Sequence, residues 1–177
     1  MKKRAVIIGA GLLLLVVVLE LFAIAFNLEP SKGVKRIGWA IEFQWNRLVA
    51  LTGNAEAQYA LGRAYGKGEG VDADTTEAVK WVRRSADQGS ARGQANLGEL
   101  YNSGIGVKKS YAEAVKWSSL AASKGDPRAH YALGFYYEYG QGVKLDIKKA
   151  KEYYGKACDL GEQEGCRAYN RLDDAGY

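Results

Sequence analysis

The chain has 177 residues, of which 47% are hydrophobic and 25% charged, with 22 glycines, two prolines and two cysteines. This composition is typical of a globular protein and excludes a disordered chain. The formal net charge of +5 falls to +3 (22 basic against 19 acidic residues) without residues 1–25, so net charge alone favours neither a nucleic acid nor a lipid surface as the partner.

The N-terminal segment, residues 1–26, has the pattern of an export signal. Basic residues at positions 2–4 precede an apolar run that continues to Phe26 and is interrupted once, at Glu20. The small residues at positions 23–25 provide a site for signal cleavage, whereas the length of the run approaches the roughly 20 residues that span a bilayer. The segment is therefore predicted to be either a signal peptide or an N-terminal membrane anchor. In both cases the remainder of the chain is exported.

A short linker and a helix are predicted next. Residues 27–33 have the composition of a linker, and residues 34–52 show apolar residues at helical spacing. Trp45 lies 36 residues before Trp81, which is the interval of the repeats described below. We interpret this helix as the remnant of a leading repeat that caps the first complete one, because terminal repeats of an array act as caps.

A 36-residue pattern fills the centre of the chain. Three consecutive segments share it without a gap: residues 53–88, 89–124 and 125–160. A period of this length is typical of stacked supersecondary units. Residues 161–177 begin a fourth copy and are predicted to be a C-terminal cap.

Each copy predicts two antiparallel helices. Their N-caps are Asn54, Ser90 and Asp126 for the first helices, and Asp74, Ser110 and Asp146 for the second helices. Glu77 and Glu113 stand three residues after the N-caps of their second helices and predict capping boxes. Gly62, Gly98 and Gly134 lie inside the first helices, where glycine is costly, and they indicate close approach of the partner helix.

The second helices are expected to bury one aromatic residue each. Trp81 and Trp117 take this position in the first two copies, and Tyr153 takes it in the third.

The shared pattern, A-x-x-x-L-G-x-x-Y-x-x-G-x-G-V-x-x-[DS]-x-x-x-A-x-x-W, resembles the Sel1-like repeat family. That family is related to the tetratricopeptide repeats but has a longer loop between its helices. The resemblance covers the three complete copies, residues 53–160. It implies an all-α fold, a right-handed α/α solenoid of helical hairpins, and a role as a scaffold for protein–protein contacts.

The two cysteines are predicted to form a structural disulfide. Cys158 ends the last second helix and Cys166 lies in the helix of the C-terminal cap, so two antiparallel helices bring them to facing positions. The surrounding pattern, K-A-C-x-x-G-x-x-x-G-C, also resembles the cysteine-rich branch of the Sel1-like family. The alternative is a redox or metal-binding pair, for which CxxC spacing and a histidine nearby in sequence are missing.

The resemblance implies that the first helices line a concave groove where a partner binds. The groove positions that differ between copies are the predicted partner-binding residues: Gln58, Arg63, Arg92, Gln94, Glu99, Asn102, His130, Phe135, Tyr136 and Tyr139. In the third copy, aromatic residues replace charged or polar ones. Two interpretations of this aromatic cluster remain, an anchor for a partner or better packing against the C-terminal cap.

No pattern in the sequence predicts an enzyme. The chain contains neither a Gly-x-Ser-x-Gly nor a Ser-x-x-Lys motif, and the glycines between positions 62 and 68 lack the spacing of a phosphate-binding loop. His130, the single histidine, stands where the other copies have glutamine and is interpreted as a polar groove residue. No catalytic residue, cofactor or metal ligand is predicted.

These patterns together predict a non-enzymatic scaffold or adaptor of the bacterial envelope that binds a protein partner in its groove. The expected location is the periplasm, either in soluble form after signal cleavage or tethered to the inner membrane by residues 5–26. Contact with the membrane is expected only through the N-terminal segment, and no nucleic acid is expected. The alternative is an immunity protein that neutralises a periplasm-delivered toxin such as a secreted lipase, because small exported Sel1-like proteins resemble such inhibitors.

Overall fold

Eight helices make up residues 32–177, the part of the chain that the structure, a computed structural model, describes. In chain order they are α1 (Lys32–Ala50), α2 (Ala55–Lys67), α3 (Thr75–Asp87), α4 (Ala91–Ser103), α5 (Tyr111–Ala122), α6 (Pro127–Tyr139), α7 (Ile147–Asp159) and α8 (Gln163–Asp174). These residues contain no strand, and the predicted all-α fold is confirmed.

The predicted export signal, residues 1–26, lies outside the described residues, as does most of the predicted linker. Helix α1 begins at Lys32, within the predicted linker rather than after it. From that residue to the C-terminus, no helix is both long and apolar enough to cross a bilayer.

Consecutive helices pack against each other along the whole array, and the pairs α2–α3, α4–α5 and α6–α7 are the hairpins of the three repeats. The first helices also meet at two of the three junctions between repeats, since α2 contacts α4 and α6 contacts α8, whereas α4 and α6 make no comparable contact. No comparable contact joins α3 to α5 or α5 to α7 in this part of the chain. At these two junctions the first helices therefore lie closer together than the second helices do, which puts them on the concave side of the array.

The predicted N-caps are confirmed from α2 to α7, but the capping boxes are not formed. The side chain of Asp74 accepts a hydrogen bond from the backbone N–H of Glu77 at 3.0 Å. The carboxylate of Glu77 does not reach back to the N-cap and instead accepts from the indole of Trp81 at 3.0 Å. The backbone N–H of Asp74 donates to the carbonyl of Tyr65 at 2.9 Å. This carbonyl takes the place of the glutamate, and Glu113 behaves in the same way in the second repeat.

The glycine after each core leucine lets the two helices of a hairpin touch. A Cβ atom added at Gly62 would lie 2.7 Å from Cγ2 of Val82 and 3.0 Å from the backbone of α3. At the equivalent positions Gly98 and Gly134, an added Cβ would lie 2.7 and 2.6 Å from side chains of α5 and α7. Such distances leave room for hydrogen only, which explains why the glycine recurs in every repeat.

The third repeat packs its second helix differently from the prediction. Trp81 and Trp117 are buried, with 8% and 9% of their surface exposed. Tyr153, which was expected to be their counterpart, is only half-buried and stacks on Tyr137 with ring centroids 5.6 Å apart. Its neighbour Tyr154 is 1% exposed and fills the space facing the glycine of α6 instead.

Helix α1 packs on the first repeat through residues that the sequence comparison did not single out. Phe43 and Ala50 are 5% and 1% exposed, and the ring of Phe43 meets that of Tyr65 edge-on with centroids 5.4 Å apart. Trp45 is 63% exposed, so its predicted equivalence to the buried Trp81 is wrong. Phe43 and Ala50 lie two turns apart on one side of the helix, and Trp45 lies on the opposite side.

Cys158 and Cys166 form a disulfide, with Cα atoms 4.5 Å apart, as predicted. The bond joins the last turn of α7 to the first turn of α8, so it ties the C-terminal cap to the third repeat. Neither cysteine is free.

Breaking this disulfide should lower the free energy of unfolding by about 2–3 kcal/mol, because the bond closes a short loop in the unfolded chain. Urea denaturation with and without a reductant would measure the loss. A variant carrying both Cys158→Ser and Cys166→Ser should show the same lower stability and no response to the reductant. Equal stability of the oxidised and reduced protein would contradict the prediction.

Two buried tyrosines should make the protein less stable at alkaline pH. Burial raises the pKa of Tyr136 to about 12. Burial and the hydrogen bond to Glu138 raise the pKa of Tyr154 further. An unfolded tyrosine ionises near pH 10, so above that pH the unfolded state loses protons that the folded state keeps. The contribution of these two tyrosines to the free energy of unfolding should therefore be constant below pH 10 and fall from pH 10 towards pH 12.

Denaturation curves recorded from pH 8 to pH 12 would test this dependence. The Tyr136→Phe variant should lose less stability over this range than the unmodified protein, whereas Tyr139→Phe, at an exposed position, should follow the unmodified protein. A fall of equal size in both variants would show that ionisation of Tyr136 is not a cause.

Candidate functional site

Side chains of the first helices form the wall of the concave groove. Two sets of equivalent positions recur along it: Glu56, Arg92, Arg128 and Glu164 in one set, and Arg63, Glu99, Phe135 and Arg171 in the other. Ion pairs link neighbouring repeats, with Arg92 4.0 Å from Glu56 and Arg128 3.7 Å from Glu99. Such exposed pairs stabilise a protein little. The centre of the groove is therefore a polar surface with charges of both signs.

Two of the predicted partner-binding residues are structural instead. Gln58 and Gln94 are 6% and 5% exposed. The amide of Gln58 donates to the backbone oxygen of Ala50 at 3.2 Å, and that of Gln94 donates to Ala86 at 3.3 Å. Each side chain gives a second hydrogen bond to a carbonyl at the C-terminal end of the preceding helix, which also accepts from the N–H of a glycine in the following turn. Both glutamines therefore expose little surface to a partner.

His130 occupies the equivalent position in the third repeat and is half-buried. Its Nδ1 lies 3.0 Å from the backbone oxygen of Asp126, and its ring lies 6.2 Å from that of Tyr153. The histidine side chain therefore contacts the backbone of Asp126, the N-cap of its own helix α6. The equivalent glutamines instead bond to the end of the preceding helix.

The predicted aromatic cluster is divided by the structure into core and surface. Tyr136 is 2% exposed and packs among the residues beneath α6, so it offers almost no surface to a partner. Phe135 is half-buried and Tyr139 is exposed. Their ring centroids lie 4.7 Å apart, which makes them an aromatic pair at the surface.

Among the described residues, a hollow lies at each end of the groove. The N-terminal hollow, of about 230 Å³, is lined by Trp39, Glu42, Phe43, Asn46, Glu56, Tyr59, Ala60, Arg63, Ala64, Glu69 and Arg92. The C-terminal hollow, of about 370 Å³, is lined by Tyr131, Phe135, Glu138, Tyr139, Tyr154, Glu164, Arg167, Ala168 and Arg171. The structure thus places Arg63 and Arg92 in one hollow and the aromatic pair in the other. Glu99, which is exposed, and Asn102 and His130, which are half-buried, line neither hollow.

A buried carboxylate, which the sequence reasoning missed, lies in the wall of the C-terminal hollow. The side chain of Glu138 is 8% exposed. It accepts a hydrogen bond from the hydroxyl of Tyr154 at 2.7 Å, and Nη2 of Arg171 donates to its two oxygens at 2.7 and 2.8 Å. This polar triad connects α6, α7 and α8, and it holds the wall of the hollow in one arrangement.

A signal for the polar triad was present in the repeat pattern. Glu138 stands where the first two repeats have Gly66 and Asn102, and Tyr154 stands where they have Val82 and Ser118. The third repeat therefore has a larger polar side chain at both positions, Glu138 and Tyr154. Pairing them requires knowing that these positions of α6 and α7 face each other, which the sequence alone did not provide.

Potential metal ligands do not cluster in the described part of the chain. From Lys32 to the C-terminus, no three His, Cys, Asp or Glu side chains lie close enough together to bind a metal ion.

The repeats match a known family model. Residues 55–90, 91–126 and 127–162 each match the model described as Sel1 repeat, with the same 36-residue interval. No curated protein matches the chain.

Solved structures resemble the chain over about three quarters of its length. A Sel1 repeat protein from Oxalobacter formigenes is 40% identical, with a TM-score of 0.66, and the match covers 74% of this chain and 96% of that one. A protective antigen of uropathogenic Escherichia coli strains that displays an SLR fold is 38% identical, with a TM-score of 0.72, over 75% of this chain. The matched part is 28% of that longer antigen.

The cysteine rich protein B of Helicobacter pylori shares the fold. It is 22% identical, with a TM-score of 0.56, and the match covers 71% of this chain and 95% of that one.

Proposed function

The chain belongs to the Sel1 repeat family, and from this we propose that it is a non-enzymatic interaction scaffold that binds a protein partner in its concave groove. Sel1 repeats are generally protein–protein interaction modules.

The main contact is proposed to lie at the C-terminal hollow. The single observation that carries this proposal is the aromatic pair of Phe135 and Tyr139, which lies at the surface beside the hollow. In the other repeats these positions hold charged or polar residues. Aromatic side chains next to a pocket are typical of residues that contribute most to binding energy.

The polar triad supports the same location. Because Glu138 connects three helices, the wall of the hollow has its shape before a partner arrives. A preformed wall lowers the entropy that binding has to overcome. The volume of about 370 Å³ suits one or two apolar or aromatic side chains of the partner, with Arg167 and Glu164 at its polar edge.

The proposed compartment is the bacterial periplasm. Disulfides form and persist in oxidising compartments, and the bond between Cys158 and Cys166 joins two helices of the folded array. The export pattern of residues 1–26 points to the same compartment. The protein is proposed to be either released by signal cleavage or tethered by residues 5–26.

Photo-crosslinking and binding measurements would test the site. A photoreactive amino acid at position 139 should capture a protein from intact envelopes, and the same group at position 105, an exposed position in the second repeat, should not capture it. With the purified partner, Phe135→Asp and Tyr139→Asp should each weaken binding by about tenfold or more. Ile105→Asp is the matched control and should leave the affinity unchanged.

Two results would contradict this site. One is capture at position 105 but not at 139, and the other is a partner whose affinity is insensitive to both aspartates. Circular dichroism and thermal unfolding of each variant would separate lost contacts from lost folding, and Tyr139→Asp is the safer variant because Tyr139 is 55% exposed.

The second candidate function is an immunity protein against a periplasm-delivered toxin. What supports it is the combination of one aromatic hollow with an export pattern, since an inhibitor needs only these two features. Co-expression with a toxin encoded beside it should protect cells, and Tyr139→Asp should abolish that protection. A protein that binds an envelope partner but protects against no neighbouring toxin would favour the scaffold.

A further inference from the structure

Helix α1 has a second apolar face that no described residue covers. Trp45 and Leu48 are 63% and 62% exposed, and with the half-buried Ile41 they recur at the spacing of one helix face. Phe43 and Ala50, which pack on the first repeat, lie on the other side of the helix. A helix that is apolar on both sides is normally covered on both sides.

This outer face is separate from the groove. The N-terminal hollow is lined by the α1 residues Trp39, Glu42 and Asn46, and neither Trp45 nor Leu48 is among its lining residues. An occupant of the outer face would therefore leave the groove free for a partner.

The charge of the chain is concentrated on the same helix. Residues 32–50 contain four basic residues and one acidic residue, whereas residues 51–177 contain 18 basic and 17 acidic residues. Residues 51–177 are thus nearly neutral, and most of the positive charge of residues 32–177 lies at the N-terminal end of the array. Helices that lie in a membrane interface typically carry tryptophan and leucine on one side and several basic residues elsewhere. Helix α1 has this composition.

The position of α1 in the chain points to the same occupant. The apolar run that ends at Phe26 is separated from α1 by five residues, 27–31. Five residues can span at most roughly 20 Å. A retained anchor would therefore hold α1 at the surface of the bilayer, where tryptophan is enriched and anionic lipids attract lysine and arginine.

We propose that α1 lies on the membrane surface with Trp45 and Leu48 inserted among the lipid headgroups. The solenoid then stands on the bilayer by its N-terminal end, and its C-terminal hollow is the part farthest from the membrane. This proposal rests on retention of the N-terminal segment as an anchor and is independent of the partner.

A fluorescent label at position 48 would test the contact. The full chain carrying Leu48→Cys, labelled with an environment-sensitive dye, is reconstituted into vesicles of phosphatidylethanolamine and phosphatidylglycerol. The native cysteines are bonded to each other and do not react. The matched control is Leu145→Cys, because Leu145 is 56% exposed in the loop of the third repeat. Nitroxide-labelled lipids should quench the label at 48 and not the label at 145, and aqueous iodide should do the opposite.

Three results would overturn the proposal. A label at 48 that iodide quenches as strongly as the label at 145 would place the face in water. A label shielded from both quenchers would show that a second copy or residues 5–26 cover the face. A chain that does not float with the vesicles would remove the anchor and this proposal together, while the binding of a protein partner in the groove would still be tested by the aspartate variants.

Discussion

Replacing Gly62 by leucine should lower the free energy of unfolding by about 3 kcal/mol or more. An added Cβ would lie 2.7 Å from Cγ2 of Val82, and 3.0 Å from both the backbone oxygen of Ala78 and the backbone nitrogen of Val82. Helix backbone cannot rotate out of the way as a side chain can. Helices α2 and α3 would have to separate, and overpacking of a filled interior typically costs about 1–3 kcal/mol before contacts are lost along a whole hairpin. Urea denaturation followed by circular dichroism would measure the change.

Gly66→Leu is the matched control on the same helix. A Cβ at Gly66 would meet only the Cβ of Ala78, at 3.8 Å, and the position is exposed. Because leucine favours helix over glycine by up to about 1 kcal/mol, this variant should be as stable as the unmodified protein or slightly more stable. If Gly62→Leu were equally harmless, close helix contact would not explain the repeated glycine.

Replacing Glu138 by alanine should lower the free energy of unfolding by about 3 kcal/mol. The hydroxyl of Tyr154 would lose its only acceptor while remaining buried, which costs about 1–3 kcal/mol. Arg171 would lose the carboxylate that holds α8 against α6, and a cavity would remain. Chemical denaturation would measure the loss, and hydrogen exchange should show that amides of α8 become less protected than those of α2.

A double-mutant cycle would show whether the triad acts as a unit. Tyr154→Phe removes the orphaned hydroxyl, so the double variant with Glu138→Ala should lose less stability than the sum of the two single variants. Glu152→Ala is the control, because Glu152 is an exposed carboxylate on α7 and its loss should change stability by less than about 0.5 kcal/mol. Strict additivity in the cycle would contradict a shared network.

The repeat period and the helix boundaries could be predicted because the interactions that produce them are local. An N-cap such as Asn54 bonds to the backbone three residues ahead, and this distance along the chain is visible in the sequence. The disulfide could also be predicted, since Cys158 and Cys166 lie on helices joined by a tight turn. Tyr136 was misplaced because Phe135, Tyr136 and Tyr139 follow one another closely on one helix. Tyr136 lies about 100° around the helix from Phe135 and about 60° from Tyr139, and the repeat pattern did not show which of these directions faces the core.

What the sequence determined by itself is therefore the repeating unit: its length, its two helices, its caps and the glycine at which they touch. What the tertiary structure decided is which variable positions became surface. Burial of Gln58 depends on the carbonyl of Ala50 at the end of α1, and burial of Glu138 depends on a hydroxyl from α7 and a guanidinium from α8. These partners lie on other helices, 8 to 33 residues away. The physical reason is that a polar side chain is buried only where other helices supply its hydrogen bonds, and stacking of the repeats brings those groups together.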